Sequence, residues 1–141
     1  MSNKGPIILI DDDEDDQFLI EKAIKSRQLP NEIRFFANGQ LAPDYLETTT
    51  EQPFLILCNM NMPLMNGLEL RQRINQNKYL REKSIPFIFL TTSANANSVK
   101  IAYQESVQGF YKKSPQYTGL QEQIRLIADY WQSCLHPHNL S

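Results

Sequence analysis

The residues able to do chemistry in this chain stand where short apolar runs stop. Ile7 to Ile10 leads straight into Asp11-Asp-Asp-Glu-Asp-Asp16, and Phe54 to Cys58 stops at Asn59, before Met60-Asn-Met-Pro63 and Gly67. Phe87 to Leu90 ends in Thr91-Thr-Ser93, and Gly109-Phe-Tyr-Lys112 is followed by Lys113. Two carboxylates held close together repel each other, so Asp11 and Asp12 in one pocket call for a cation, and oxygen ligands of this kind suit magnesium or manganese. Asp13 to Asp16 read instead as a solvated helix start, where the helix dipole favours negative charge.

The elements that must position these groups follow from the same runs. Each is too short for a helix and lacks polar alternation, the pattern of a strand buried on both faces. Ile33 to Phe36 is a further strand, and the pair Phe35-Phe36 is expected in the core. Between the strands, apolar residues recur at helical spacing: Phe18, Leu19, Ala23 and Ile24; then Leu41, Tyr45 and Leu46, with Pro43 tolerable in a first turn. Leu68, Leu70 and Ile74 begin another helix that runs out in the polar stretch Asn75 to Lys83. Val99 to Tyr103 mark the next, and Tyr117 to Cys134 the last, with Leu120, Ile124, Ile127 and Trp131 on one stripe.

Strands alternating with helices at this spacing predict a parallel sheet with right-handed crossovers and helices on both faces. The expected fold is α/β, a flavodoxin-like doubly wound (βα)5 unit with strand order 2-1-3-4-5. In that order the first and third strands meet at the switch point, so Asp11, Asp12 and Asn59 share a crevice with the Thr91 and Lys113 ends alongside. Residues 7–135 are read as this domain, 1–6 as an amino-terminal extension and 136–141 as a tail.

Composition narrows the class of function. A chain of 141 residues, 41% hydrophobic, has room for one core. A net charge of -2 leaves no basic face for nucleic acid or anionic membrane. No run nears the roughly 20 apolar residues that span a bilayer, and Met1 to Pro6 lacks signal-peptide architecture, so a cytoplasmic location is expected. Cys58 and Cys134 read as reduced thiols. Met60, Met62 and Met65 read as gap-fillers near an apolar strand, and His136 and His138 as tail residues.

Ile8-Leu-Ile-Asp11-Asp12, Ile56-Leu-Cys-Asn-Met-Asn-Met-Pro63 with Gly67, Phe89-Leu-Thr91 and Gly109-Phe-Tyr-Lys-Lys113 together resemble the receiver domain of two-component response regulators. The likeness spans roughly Ile7 to Trp131 and is nearest to stand-alone receivers, in which an acidic Asp-Glu-Asp-Asp stretch and a late Tyr-Trp pair such as Tyr130-Trp131 also occur. The resemblance implies phosphotransfer from a sensor histidine kinase, or a phosphotransfer protein, to an aspartate at the end of the third strand. It implies magnesium held by Asp11, Asp12 and the backbone carbonyl of Asn61. It also implies phosphoryl contacts from Thr91 and Lys113, and a switch through Thr91 and Phe110 to a surface read by a downstream protein target.

The chain departs from the pattern at two places. The phosphoacceptor position is Asn59, whose carboxamide has no ionised oxygen to act as nucleophile. A unit charge pair about 4 Å apart is worth about 4 kcal/mol at an effective dielectric near 20, so magnesium affinity should fall at least about tenfold. Ser114 stands where the family has proline after the lysine, and Pro115 is one residue late; a trans Lys113-Ser114 peptide and a reshaped loop are expected.

Two main readings follow. One is a pseudo-receiver, a phosphorylation-independent interaction module that is not an enzyme. The other is an ordinary phosphorylatable receiver carrying an engineered Asp-to-Asn change at position 59, which the retained Asp11, Asp12, Thr91 and Lys113 would suit. A remote third, a magnesium-dependent phosphohydrolase, needs a second catalytic acid that Asn59-Met-Asn61 does not offer. Dimerisation through the Val99–Tyr103 and Tyr117–Cys134 helices is a further expectation.

Overall fold

The computed structural model describes residues 2–137. Strands β1 (Ile7–Ile10), β2 (Ile33–Phe36), β3 (Leu55–Cys58), β4 (Phe87–Thr91) and β5 (Gly109–Lys112) form one parallel sheet in the order β2-β1-β3-β4-β5. Helices α1 (Glu14–Ser26), α2 (Ala42–Thr48), α3 (Gly67–Gln76), α4 (Lys78–Lys83), α5 (Ala96–Gln104) and α6 (Tyr117–Ser133) cover both faces. This is the flavodoxin-like doubly wound arrangement expected from the alternation.

Side-chain alternation splits the core in two. Ile7, Leu9, Leu55, Leu57, Ile88 and Leu90 face α1 and α6, meeting Ile20, Ala23, Ile24, Leu120, Ile124 and Ile127. Ile8, Ile10, Ile56, Cys58, Phe87 and Phe89 point the other way, against Leu46, Leu70, Ile74, Leu80 and Ala102. Strands apolar on both sides are what parallel pairing beneath two helical layers requires. Cys58 is wholly buried, and burial pushes its thiol well above the usual range, so it is a core group and not a reactive one.

Three expectations need correction. A sixth helix, α4, occupies the stretch read as polar run-out: Asn77 caps it, accepting the Leu80 N–H at 3.0 Å, and Leu80 is its apolar anchor. Phe35 is 40% exposed because β2 is an edge strand, and only Phe36 of that pair packs on the core, 5.4 Å from Tyr45. Phe18 is 65% exposed; Ile20, not Phe18, fills the buried face of α1. Smaller shifts also occur: α1 opens at Glu14 with Asp13 as its cap, and Thr91 closes β4 as part of the strand.

A fourth correction lies at the opposite rim of the sheet: His136, read as a tail residue, is buried between Phe54 and Trp131, its Nε2 3.1 Å from the Trp131 carbonyl. His138 lies outside the described residues. Met60 is buried, and Met62 and Met65 pack partly buried against the core, the gap-filling role expected of them.

Candidate functional site at the carboxyl edge of the sheet

Four strand ends build the site. Asp11 follows β1, Asn59 follows β3, Thr91 ends β4 and Lys113 follows β5. The backbone ties these ends together: Asn59 N–H donates to the Ile10 carbonyl at 2.9 Å, and Lys113 N–H donates to the Thr91 carbonyl at 2.7 Å. Gly67 completes the floor at the first turn of α3. A Cβ there would lie 2.4 Å from the Asn59 carbonyl and 2.7 Å from the Phe89 ring, so only glycine lets α3 approach this closely.

Asn59 is 7% exposed and its side-chain nitrogen is doubly engaged. Nδ2 donates to Asp12 Oδ1 at 3.1 Å and to the Asn61 carbonyl at 3.2 Å. Both partners are acceptors, which dictates the amide's orientation: turned over, its oxygen would face two oxygens. Asn59 Oδ1 is left buried without a hydrogen-bond partner, as is Thr91 Oγ1.

Asp11 is 1% exposed and fully committed. Its Oδ2 accepts from Lys113 Nζ at 2.6 Å, its Oδ1 from the Asp13 N–H at 3.0 Å, and its carbonyl from Gln17 Nε2. Lys113 also donates to Asp16 Oδ2 at 2.8 Å. Burial works against the Lys113 ammonium, but its hydrogen bonds to Asp11 and Asp16 prevail and lift its pKa above the usual lysine value. Burial dominates at Asp11 and raises its pKa, with Lys113 and the Asp13 amide partly opposing. The two directions describe one proton between two groups, and the pair of carboxylates around Lys113 keeps that proton on the lysine.

The sequence-predicted residues Asp11, Asp12, Asn59, Asn61, Thr91 and Lys113 thus meet at one crevice. Phe110 on β5 is half-buried, with its ring 5.4 Å from that of Phe89 on β4. Sequence reasoning missed three participants. Asp16 was placed with the solvated acids, yet it shares Lys113. Gln17 reaches back to the Asp11 carbonyl. Asn61 contributes its side chain as well as its carbonyl, Nδ2 donating to Ser93 Oγ at 2.7 Å across the mouth of the crevice.

The loop after β5 follows expectation: no peptide bond among the described residues is cis, Lys113-Ser114 included. Gln123 on α6 clamps it, accepting the Ser114 N–H on Oε1 at 3.1 Å and donating from Nε2 to the Lys112 carbonyl at 2.7 Å. Ser114 Oγ sits where a Cβ on Gly119 would stand, 2.0 Å from that position, so serine here needs glycine there.

Oxygen donors of a kind magnesium favours are present in Asp11, Asp12 and the Asn61 carbonyl. They do not fit the ion as arranged, because Asn59 Nδ2 takes Asp12 and Asn61 while Lys113 takes Asp11. Among the described residues, no group of three or more His, Cys, Asp or Glu side chains is set to hold a metal.

A doubly wound sheet carrying acids, hydroxyl and lysine at its switch point defines a class of signalling domain, and the comparisons agree. Residues 7–125 match the response regulator receiver domain, and the chain belongs to that family. It is 30% identical over 130 residues to the response regulator Rcp1 of Synechocystis sp., covering 89% of this chain and 87% of that protein. It is 26% identical to the probable methanogenesis regulatory protein FilR2 of Methanothrix harundinacea, covering 89% and 82%. The structure of the phosphorylated cyanobacterial phytochrome response regulator RcpA superposes with a TM-score of 0.86 at 28% identity, covering 95% and 98%. The manganese-bound form of Rcp1 gives 0.80 at 27% identity, covering 95% and 99%. Receiver domains work in two-component signalling, and the family binds magnesium at its acidic site.

Proposed function

We propose that this chain is a receiver that works as a phosphorylation-independent protein-interaction module, with Asn59 at the phosphoacceptor position. The observation that carries the reading is the direction of the Asn59 amide. The group facing Asp12 at the end of β3 is a nitrogen donor at 3.1 Å, where phosphotransfer needs a free carboxylate oxygen. Lys113, the expected phosphoryl contact, is meanwhile held by Asp11 and Asp16. Magnesium binding is accordingly weak or lost, and the chain does not catalyse its own phosphorylation.

The partners that suit this reading are a sensor histidine kinase or a phosphotransfer protein and a downstream protein target, in the cytoplasm. The downstream surface would be the α5–β5–α6 face above Phe110, where Tyr103, Leu126 and Tyr130 are exposed around a groove of about 790 Å³. Self-association there is checked by sedimentation: a monomer at high micromolar concentration removes it.

A second reading has its own support. Thr91 Oγ1 is buried without a partner and the acids are retained, as in a phosphorylatable receiver altered at position 59 alone. One experiment separates the two. The protein and Asn59→Asp are incubated with acetyl phosphate and magnesium, and their intact masses are measured. No gain in either supports the interaction module; a gain in Asn59→Asp alone supports a site complete but for one residue. A phosphoryl gain at Asn59 in the unaltered chain overturns the proposal.

A further inference from the structure

Four of the oxygens that a divalent ion could gather in this crevice already accept hydrogen bonds from the protein. One nitrogen, Asn59 Nδ2, has two N–H groups and uses them on Asp12 Oδ1 at 3.1 Å and the Asn61 carbonyl at 3.2 Å. Lys113 Nζ and the Asp13 N–H cover the two oxygens of Asp11 at 2.6 and 3.0 Å. We infer that the Asn59 carboxamide is a built-in substitute for the cation, a fixed neutral donor that holds the Asp12 carboxylate and the Asn59–Asn61 loop together without metal. This rests on the reading of Asn59 given above and deepens it.

The physical basis is donor polarity at a single position. Aspartate at position 59 would present oxygen where the amide presents N–H, setting acceptors against Asp12 and the Asn61 carbonyl. It would also add a carboxylate beside Asp12, in a crevice whose Lys113 ammonium is already engaged by Asp11 and Asp16. Such a crevice is held open by repulsion until a cation enters. With asparagine the same loop is closed by two hydrogen bonds, and an entering ion has to break both and to compete with Lys113 for Asp11. The unpartnered Asn59 Oδ1 points away from these acceptors, as the orientation of a donor amide requires.

The arrangement makes the stability of the chain indifferent to magnesium, and a single substitution should make it dependent. Thermal unfolding of the full chain and of Asn59→Asp, each in chelator and in millimolar magnesium, tests this. The unaltered chain should shift by less than about 1 °C, whereas Asn59→Asp should melt lower in chelator and recover by about 3 °C or more with the ion. If Asn59→Asp does not fold in chelator, its folding on addition of magnesium is the same result. The inference is overturned if magnesium raises the unaltered chain as much as the variant, or if Asn59→Asp is as stable as the parent in chelator. An unaltered chain that is stabilised by magnesium yet takes no phosphoryl group would sink this inference alone and leave the proposed function standing.

Discussion

Asp16 on α1 lies with its Oδ2 2.8 Å from Lys113 Nζ, so the lysine that follows β5 is shared between Asp11 and Asp16. An acid on the first turn of α1 therefore helps set where the site's only buried ammonium among the described residues points.

Removing either side of that arrangement should have unequal effects. Lys113→Met leaves Asp11 buried and without its cation, and should cost about 3 kcal/mol or more. Asp16→Asn leaves the Asp11 pair intact at a partly exposed position, and should cost about 1 kcal/mol. Urea unfolding of the two variants measures the difference; equal losses would contradict the shared-lysine geometry.

Alkaline pH should loosen the fold through two groups whose pKa values are raised. Burial and the hydrogen bond to Glu51 push Tyr45 up to about 12. The Lys113 pKa is raised by Asp11 and Asp16 against the effect of burial. Groups raised in the folded state stabilise it fully below their ordinary values and lose that contribution as pH rises through the folded ones. Stability should be level up to about the phenol's ordinary 10 and fall as pH approaches about 12. Unfolding in urea across this window checks the slope, and Tyr45→Phe should make it shallower.

The Ser114 loop offers a paired test. Gly119→Ala places a methyl group 2.0 Å from Ser114 Oγ and 2.7 Å from its Cβ, so it should destabilise by about 1–3 kcal/mol. Adding Ser114→Gly should recover most of that loss. Gln123→Ala leaves the Ser114 N–H unpaired, and amide exchange at Ser114 should quicken about fivefold, the equivalent of roughly 1 kcal/mol.

Gly67→Ala should be among the most damaging surface-distant changes near the site. Its Cβ would press on the Asn59 carbonyl and the Phe89 ring at 2.4 and 2.7 Å, neither of which has room to retreat. A loss of about 2 kcal/mol or more is expected in thermal or urea unfolding.

Most of the scaffold was legible because buried parallel strands announce themselves. Ile7 to Ile10 and Leu55 to Cys58 are apolar on both faces, and short apolar runs ending in polar residues have few other meanings. What hid was whatever depends on lateral position. Phe35 looks like its neighbour Phe36 until β2 is known to be at the edge, and Phe18 looks like a core residue until the rotation of α1 is fixed by Ile20 and Ile24. Helix α4 was concealed because its burial against the sheet rests chiefly on Leu80.

At the site, residue types at strand ends were readable, and their convergence followed from strand order. The directions of their hydrogen bonds were not. Asp16 carries the same sequence signature as the solvated acids beside it, and only the side of β1 on which Asp11 projects brings it to Lys113. The Ser114–Gln123 clamp spans nine positions of intervening loop and helix, with no periodic signal to reveal it.

The bridge from Asn61 Nδ2 to Ser93 Oγ, 2.7 Å long and exposed, spans the opening between two loops. A single neutral bond of this sort is worth about 1 kcal/mol, too little to bar small solutes from the crevice. The chemical silence proposed for this crevice therefore rests on its interior, where the Asn59 amide already engages Asp12 and the Asn61 carbonyl, and not on a barred entrance.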